Sequence, residues 1–142
     1  MNLIELYLLY KSFNINIDSC ININNFINCN YHSTINLNGL SYDAKLEFLM
    51  IFKDVVQWDI ILKHNIIHET IIKKFIKYYD RFSWMNIVRY QILSEPFIKE
   101  YINYVDIGWL VRCQILSDKL IEEFHEKFKF YNMHVRESDI RY

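Results

Sequence analysis

His64 and His68 stand four residues apart in KHNIIHET, the spacing at which two imidazoles on one helix face can ligate a metal ion. Cys113 offers a thiol that a nearby histidine could activate as a nucleophile. Glu122 and Glu123 offer paired carboxylates. Lys63, Arg89 and Arg112, with Tyr90 beside them, offer a set of cations that could meet acidic side chains or phosphates. What each group can do depends on the element that holds it.

Those elements belong to a repeat. WDIILKHNIIHETIIKKF (Trp58 to Phe75), WMNIVRYQILSEPFIKEY (Trp84 to Tyr101) and IGWLVRCQILSDKLIEEF (Ile107 to Phe124) align without gaps. The columns read Lys63/Arg89/Arg112, Asn65/Gln91/Gln114, Ile67/Leu93/Leu116, His68/Ser94/Ser117, Glu69/Glu95/Asp118, Ile71/Phe97/Leu120, Ile72/Ile98/Ile121 and Phe75/Tyr101/Phe124. A weaker copy begins at LSYDAKLEF, with Ser41 in the serine column. Trp84, Ile87, Val88 and Gln91 recur at i, i+3, i+4 and i+7, one face of a short helix. Trp58, Ile61, Leu62 and Asn65 repeat that face, as do Ile107, Leu110, Val111 and Gln114. Ser83 and Asp106 precede two of these helices and are expected N-caps. Ser94 is expected to cap a second helix, with Glu95 at the positive end of its dipole and Pro96 in its first turn, where a missing N–H costs little. Phe97, Ile98 and Tyr101 form the apolar stripe that follows. Each unit therefore reads as helix, tight turn, helix.

Placed on this scheme, His64 shares a column with Tyr90 and Cys113, while His68 sits with the capping serines. The pair should straddle a helix end, and no HExxH or cysteine pair completes a zinc set. Glu122 and Glu123 are helical neighbours whose side chains diverge. The two glycines, Gly39 and Gly108, make no phosphate-binding loop. His32, His125 and His134 are isolated. No catalytic residue, metal or cofactor is assigned, and an enzyme is not expected. The buried amides of Asn65, Gln91 and Gln114, at the edge of an apolar stripe, need partners. They are expected to bond the turn or neighbouring backbone and so fix the stacking.

Short helices cannot bury a face alone, so at least three units must stack. The expected fold is all-α: stacked helix–turn–helix repeats, as a short α-solenoid or compact helical bundle, with an N-terminal capping segment. Residues 1–39 hold that segment. Its helix would use Leu3, Ile4, Tyr7, Leu8 and Phe13, and the Asn/Ile-rich stretch from Phe13 to Gly39 fits strand, helix or loop. Residues 40–142 hold the repeats: a weak unit at 40–57, units at 58–83, 84–106 and 107–127, and a tail at 128–142 that could cover the far end. One folding unit is expected. Trp58, Trp84, Gln91, Leu93, Ser94, Phe97, Tyr101, Gln114, Leu116, Ser117 and Phe124 are the structural residues of the repeat.

Composition agrees. The 142 residues are 52% hydrophobic and 23% charged, which is globular composition, and two glycines with one proline are too few turn punctuators for a sandwich or barrel. A net charge of -1 argues against a generic polyanion binder. Cys20, Cys29 and Cys113 form no CxxC pair and suit reduced thiols. MNLIELYLLY is apolar but carries Glu5, lacks a basic start and is too short to span a bilayer. An intracellular protein with no membrane partner is the expectation.

The line from Trp84 to Tyr101, generalised as W-x2-I-x3-Q-x-L-S-E-x-F-I-x-E-F, resembles a short helical repeat in uncharacterised proteins of large DNA viruses and some phages. The resemblance covers Leu40 to Phe124 and departs from the pattern at His68, Thr70 and Ile107. It implies a helical repeat fold and a setting in host cytoplasm or virion, and it transfers no catalytic residues. LSYDAKLEFLMIF, Leu40 to Phe52, is similar to the opening of an F-box, which implies a ubiquitin-ligase adaptor, although the repeat accounts for the same residues more simply. A viral Bcl-2-like bundle would rest on Gly108-Trp109 alone, too little to support it.

The resulting expectation is a non-enzymatic helical repeat protein that mediates protein–protein interaction, as a viral accessory or virion-associated factor. Lys63, Arg89, Tyr90 and Arg112 are its candidate partner-binding residues. Nucleic-acid binding through the same basic edge is the alternative. The cations could otherwise form a solvated edge paired locally with Glu69, Glu95 and Asp118. Lys73, Lys74 and Lys77 in the first unit oppose Glu122, Glu123 and Glu126 in the third, a charge drift that could promote head-to-tail self-association.

Overall fold

Side-chain acceptors set where most of the helices begin. In the computed structural model, which describes Glu5, Leu8, residues 36–54 and residues 56–131, Ser41 Oγ accepts from Ala44 N at 3.2 Å and opens α1, Tyr42–Phe52. The first unit holds α2, Trp58–His64, and α3, Glu69–Lys74. A 3-10 turn, Ile76–Tyr78, then leads to the second unit, α4, Arg81–Tyr90, and α5, Glu95–Tyr101. The third unit holds α6, Ile107–Cys113, and α7, Asp118–Glu123, with α8, His125–Phe128, after it. The chain is all-α: every regular element among the described residues is a helix.

The expected caps hold at Ser94, Ser117 and Asp106, which accept from Phe97 N at 3.3 Å, Leu120 N at 3.2 Å and Trp109 N at 3.0 Å. His68 does the serine's work in the first unit, its Nδ1 accepting from Thr70 N at 3.3 Å. Pro96 lies in the first turn of α5. Ser83 is a correction. The cap of α4 is Asp80, whose Oδ1 accepts both the Ser83 amide at 2.8 Å and the Ser83 hydroxyl at 2.9 Å. A carboxylate three residues earlier starts the helix sooner, and Ser83 is left buried inside its first turn. Helices α2, α4 and α6 all stop the same way, because Asn65, Gln91 and Gln114 adopt extended backbone.

Helices this short gain their stability from packing. Helix α2 packs on α4, and α4 on α6, so the first helices of the three units form one row. The stripes read from the sequence face this contact: Trp58, Ile61, Leu62 and Asn65, then Trp84, Ile87, Val88 and Gln91, are all buried. In the third unit Leu110 is buried, while Ile107, Val111 and Gln114 are half-buried. Each fully buried aliphatic or Phe side chain contributes about 1.5–3 kcal/mol relative to exposure.

Each of the first two units is closed by an aromatic clamp. Trp58 stacks on Tyr78 at 5.9 Å and meets Phe75 at 4.8 Å; Trp84 stacks on Tyr104 at 5.3 Å and meets Tyr101 at 5.5 Å. Ile107 takes the tryptophan's place in the third unit, where no such clamp forms among the described residues. At one end of the row Leu37, Phe48, Leu49 and Phe52 complete the core, and at the other Phe128 does. A methyl group on Gly108 would stand 3.0 Å from Tyr131 Cε1, so glycine lets the start of the tail lie close to α6. Of the expected N-terminal helix, Glu5 and Leu8 are helical; the rest of it, residues 13–35 and residues 132–142 lie outside the described residues. No helix of the described residues is long and apolar enough to cross a membrane.

Candidate functional site

The turns between first and second helices are held in register by an amide ladder. Gln91 Nε2 donates to Leu62 O at 2.6 Å and to Asn65 O at 2.8 Å, and Gln91 Oε1 accepts from Ile67 N at 2.8 Å. Gln114 repeats the donation one unit later, to Val88 O at 2.7 Å and Gln91 O at 2.9 Å. Asn65 makes the shorter version, accepting from Leu37 N and donating to Ile61 O. Apart from Ile61 O, which also accepts the Asn65 backbone amide, the acceptors are carbonyls at the C-terminal end of a helix, where the helix itself supplies no donor. The expectation that these amides tie successive units together through backbone is met.

A second ladder joins acids to serines. The Glu69 carboxylate accepts from the Ser94 amide and, at 2.9 Å, from the Ser94 hydroxyl. Glu95 Oε1 accepts from Ser117 N at 2.8 Å, and the Ser117 hydrogen bonds hold the Glu95 carboxyl below its ordinary range. A third ladder pairs Lys73 with Glu100 and Lys99 with Glu123. The Glu100 carboxyl is lowered first by its bond from Lys73, and the Tyr101 hydroxyl, which donates to Glu100 at 2.8 Å, is pushed up to about 12 by burial and then by that acid. These pairs draw Lys73 and Glu123 into contacts inside the row, which weakens the opposed-ends charge drift.

The ladders leave one edge of the turns outward. Lys63 and Arg112 are exposed on it, while Arg89 and Tyr90 are half-buried. Arg89 lies over the Trp109 ring, its Cζ 4.3 Å from the centroid, and Arg112 approaches the same ring at 5.7 Å. Arg89 also lies 5.2 Å from the Tyr90 ring, so Arg89, Tyr90 and Arg112 gather around or beside Trp109 while Lys63 stands apart. The expected local pairing of these cations with Glu69, Glu95 and Asp118 does not occur: Glu69 and Glu95 turn to the next unit's serine, and exposed Asp118 forms no ion pair among the described residues. Among the described residues no carboxylate forms an ion pair with Lys63, Arg89 or Arg112.

Sequence reasoning missed the apolar members of this edge. Ile66, Ile92 and Ile115 occupy one column, between the amide and the leucine, and are 51%, 81% and 97% exposed. The same residue in all three copies, off the helical stripe, was the available signal. Ile66 is the least exposed because the segment before α1 reaches it, with Asn38 Oδ1 accepting from Ile66 N at 2.8 Å.

The other candidates do not converge. His64 ends α2 and His68 caps α3, so the pair straddles a helix end as expected. His68 instead bonds the Thr70 hydroxyl at 2.9 Å and meets the Tyr42 ring edge-on. Cys113 is an exposed free thiol at the end of α6, and Glu123 is spent on Lys99. Among the described residues no three His, Cys, Asp or Glu side chains are grouped to hold a metal. No family model, curated protein or solved structure matches the chain.

Proposed function

We propose that this chain is a non-enzymatic helical protein that binds another protein through the turn edge of its repeats. The observation that carries the reading is the column Ile66, Ile92 and Ile115, exposed in each of the three units beside cations that form no ion pair with an acid among the described residues. Single exposed apolar residues are common and need no explanation. One repeated at the same position of three stacked units makes a stripe, and stripes rimmed by polar groups mark interaction sites. Arg and Tyr beside it are residue types enriched where proteins meet. The resemblance of the Trp84–Tyr101 line to repeats of large DNA viruses and phages supplies the setting, an accessory or virion-associated factor in an infected cell.

Nucleic-acid binding is the second reading, favoured by Lys63, Arg89 and Arg112 on one edge. It has less support, because single-strand binding relies on open aromatic faces. Trp58 and Trp84 are buried, and Arg89 lies over Trp109. Affinity purification with the wild type and with Ile92→Asp/Ile115→Asp, quantified side by side, tests the first reading. A partner lost with the double variant supports it; identical recoveries from both refute it. Steeply salt-dependent binding of a labelled oligonucleotide, removed by Arg112→Glu, would establish the second instead.

A further inference from the structure

The chemistry of the edge specifies what it takes. We infer that the occupant is an extended acidic segment of another protein, with an apolar side chain at every third position and Asp or Glu between. This rests on the turn edge being a docking site and adds the class of its ligand.

Charge supplies the sign. Lys63, Arg89 and Arg112 each stand three residues before an exposed isoleucine, so cation and apolar group alternate from unit to unit. Two of the three acids in the same column are otherwise engaged: Glu69 binds the Ser94 amide and hydroxyl, and Glu95 binds the Ser117 amide, while Asp118 of the third unit is exposed. Exposed Lys63 and Arg112 with half-buried Arg89, against the single exposed acid of that column, Asp118, leave this edge net positive and apolar, and its complement is negative and apolar.

Spacing supplies the conformation. Neighbouring helices pack about 8–10 Å apart, which sets the step between successive turns. Three residues of polyproline-II chain advance about 9.3 Å, so every third side chain reaches the next isoleucine. A helical ligand is the poorer match, because helices dock in grooves and this stripe is one residue wide.

The column also admits a purely conformational explanation. The turns are extended, with Gln91 at φ -97 and ψ 155 and Gln114 at φ -118 and ψ 151, and β-branched residues favour extended backbone. Threonine is β-branched too. The variant Ile66→Thr/Ile92→Thr/Ile115→Thr therefore keeps the backbone preference and removes only the apolar surface, which separates the two explanations.

The experiment pans a phage-displayed library of random dodecapeptides on the full chain, discarding phage that also bind the triple threonine variant. Selected peptides are then measured by fluorescence anisotropy. The expected result is peptides of net negative charge with apolar residues three apart. Their affinity should fall at least about tenfold, or 1.4 kcal/mol, for the threonine variant and for Lys63→Glu/Arg112→Glu, while melting curves match the wild type. Neutral or basic peptides that still need the isoleucines overturn the acidic-segment inference and leave the docking edge standing. Failure to select any peptide that distinguishes wild type from the threonine variant overturns both. Labelled oligouridine binding that the charge variant abolishes and the threonine variant leaves intact assigns the edge to nucleic acid and overturns the inference.

Discussion

Replacing Gln91 by leucine nearly preserves the side chain's volume and removes its polar end. The residue is 3% exposed, and its amide makes three hydrogen bonds to the first unit: to Leu62 O, Asn65 O and Ile67 N. Each is worth about 1 kcal/mol net, and buried groups left without a partner cost about 1–3 kcal/mol apiece, so the loss should be at least about 3 kcal/mol. For a chain of this length that is a fall in Tm of about 10 °C. Gln114→Leu is the internal comparison: two bonds to backbone at a half-buried site that water can reach, and a loss of about half as much or less. Gln91→Glu sharpens the test. A carboxylate would face the Leu62 and Asn65 carbonyls, so burial and the carbonyl dipoles raise its folded pKa above the unfolded value. Relative to wild type at the same pH, this variant should be worst near neutrality and recover as pH falls and a protonated acid can donate. Thermal melts of the four proteins by circular dichroism decide the matter. A Gln91→Leu protein melting within about 2 °C of wild type would refute the claim that the amide ladder holds the units in register.

Ser94→Ala removes the α5 cap and the hydroxyl bond to Glu69 together, and should cost about 1 kcal/mol by urea denaturation; no change would show that the Ser94 amide bond alone suffices. Asp80, Glu95, Glu100 and Glu126 have carboxyls held below their ordinary range, by the Ser83 amide, Ser117, Lys73 and Lys129 respectively. A depressed folded pKa gives stability that is present above the unfolded value and lost as pH falls through the folded one. Tm should therefore drop between about pH 5 and 3, and Glu95→Gln should blunt that drop; a flat profile would contradict the acid–serine ladder. Trp84→Ala should cost about 3–5 kcal/mol by opening the clamp on Tyr101 and Tyr104, against a smaller loss for Ile107→Ala at the half-buried equivalent position. Equal urea midpoints for those two variants would count against the clamp.

Much of the fold was legible because it rests on local rules. Ser94, Ser117 and Asp106 reach an amide three residues ahead, and Pro96 sits where an amide hydrogen has no partner to lose; such contacts lie within one helical turn, so their residues are neighbours in the chain. Ser83 misled because Asp80, three residues upstream, caps as well, and a serine within α4's first turn looks no different from one before it. The candidate site was legible only in part. Arg89, Tyr90 and Arg112 were found as a group, but the exposed Ile66, Ile92 and Ile115 were passed over, since an apolar residue beside a buried stripe reads as core until something is known about what covers it.

Periodicity, caps and the scarcity of glycine and proline together determined an all-α chain of helix–turn–helix units, and placed amides where they would need partners. Tertiary structure alone decided who those partners are. Gln91 meets a carbonyl 26 residues away and Gln114 one 23 residues away, distances set by the stacking of one unit on the next. Stacking likewise turned Glu69 and Glu95 from nearby cations to the following serine, laid Arg89 over Trp109 and left three isoleucines uncovered. A local rule compares energies within a single turn, where the backbone already fixes the geometry. A contact between units depends on how two packed surfaces settle, and that is a property of the assembled row of helices.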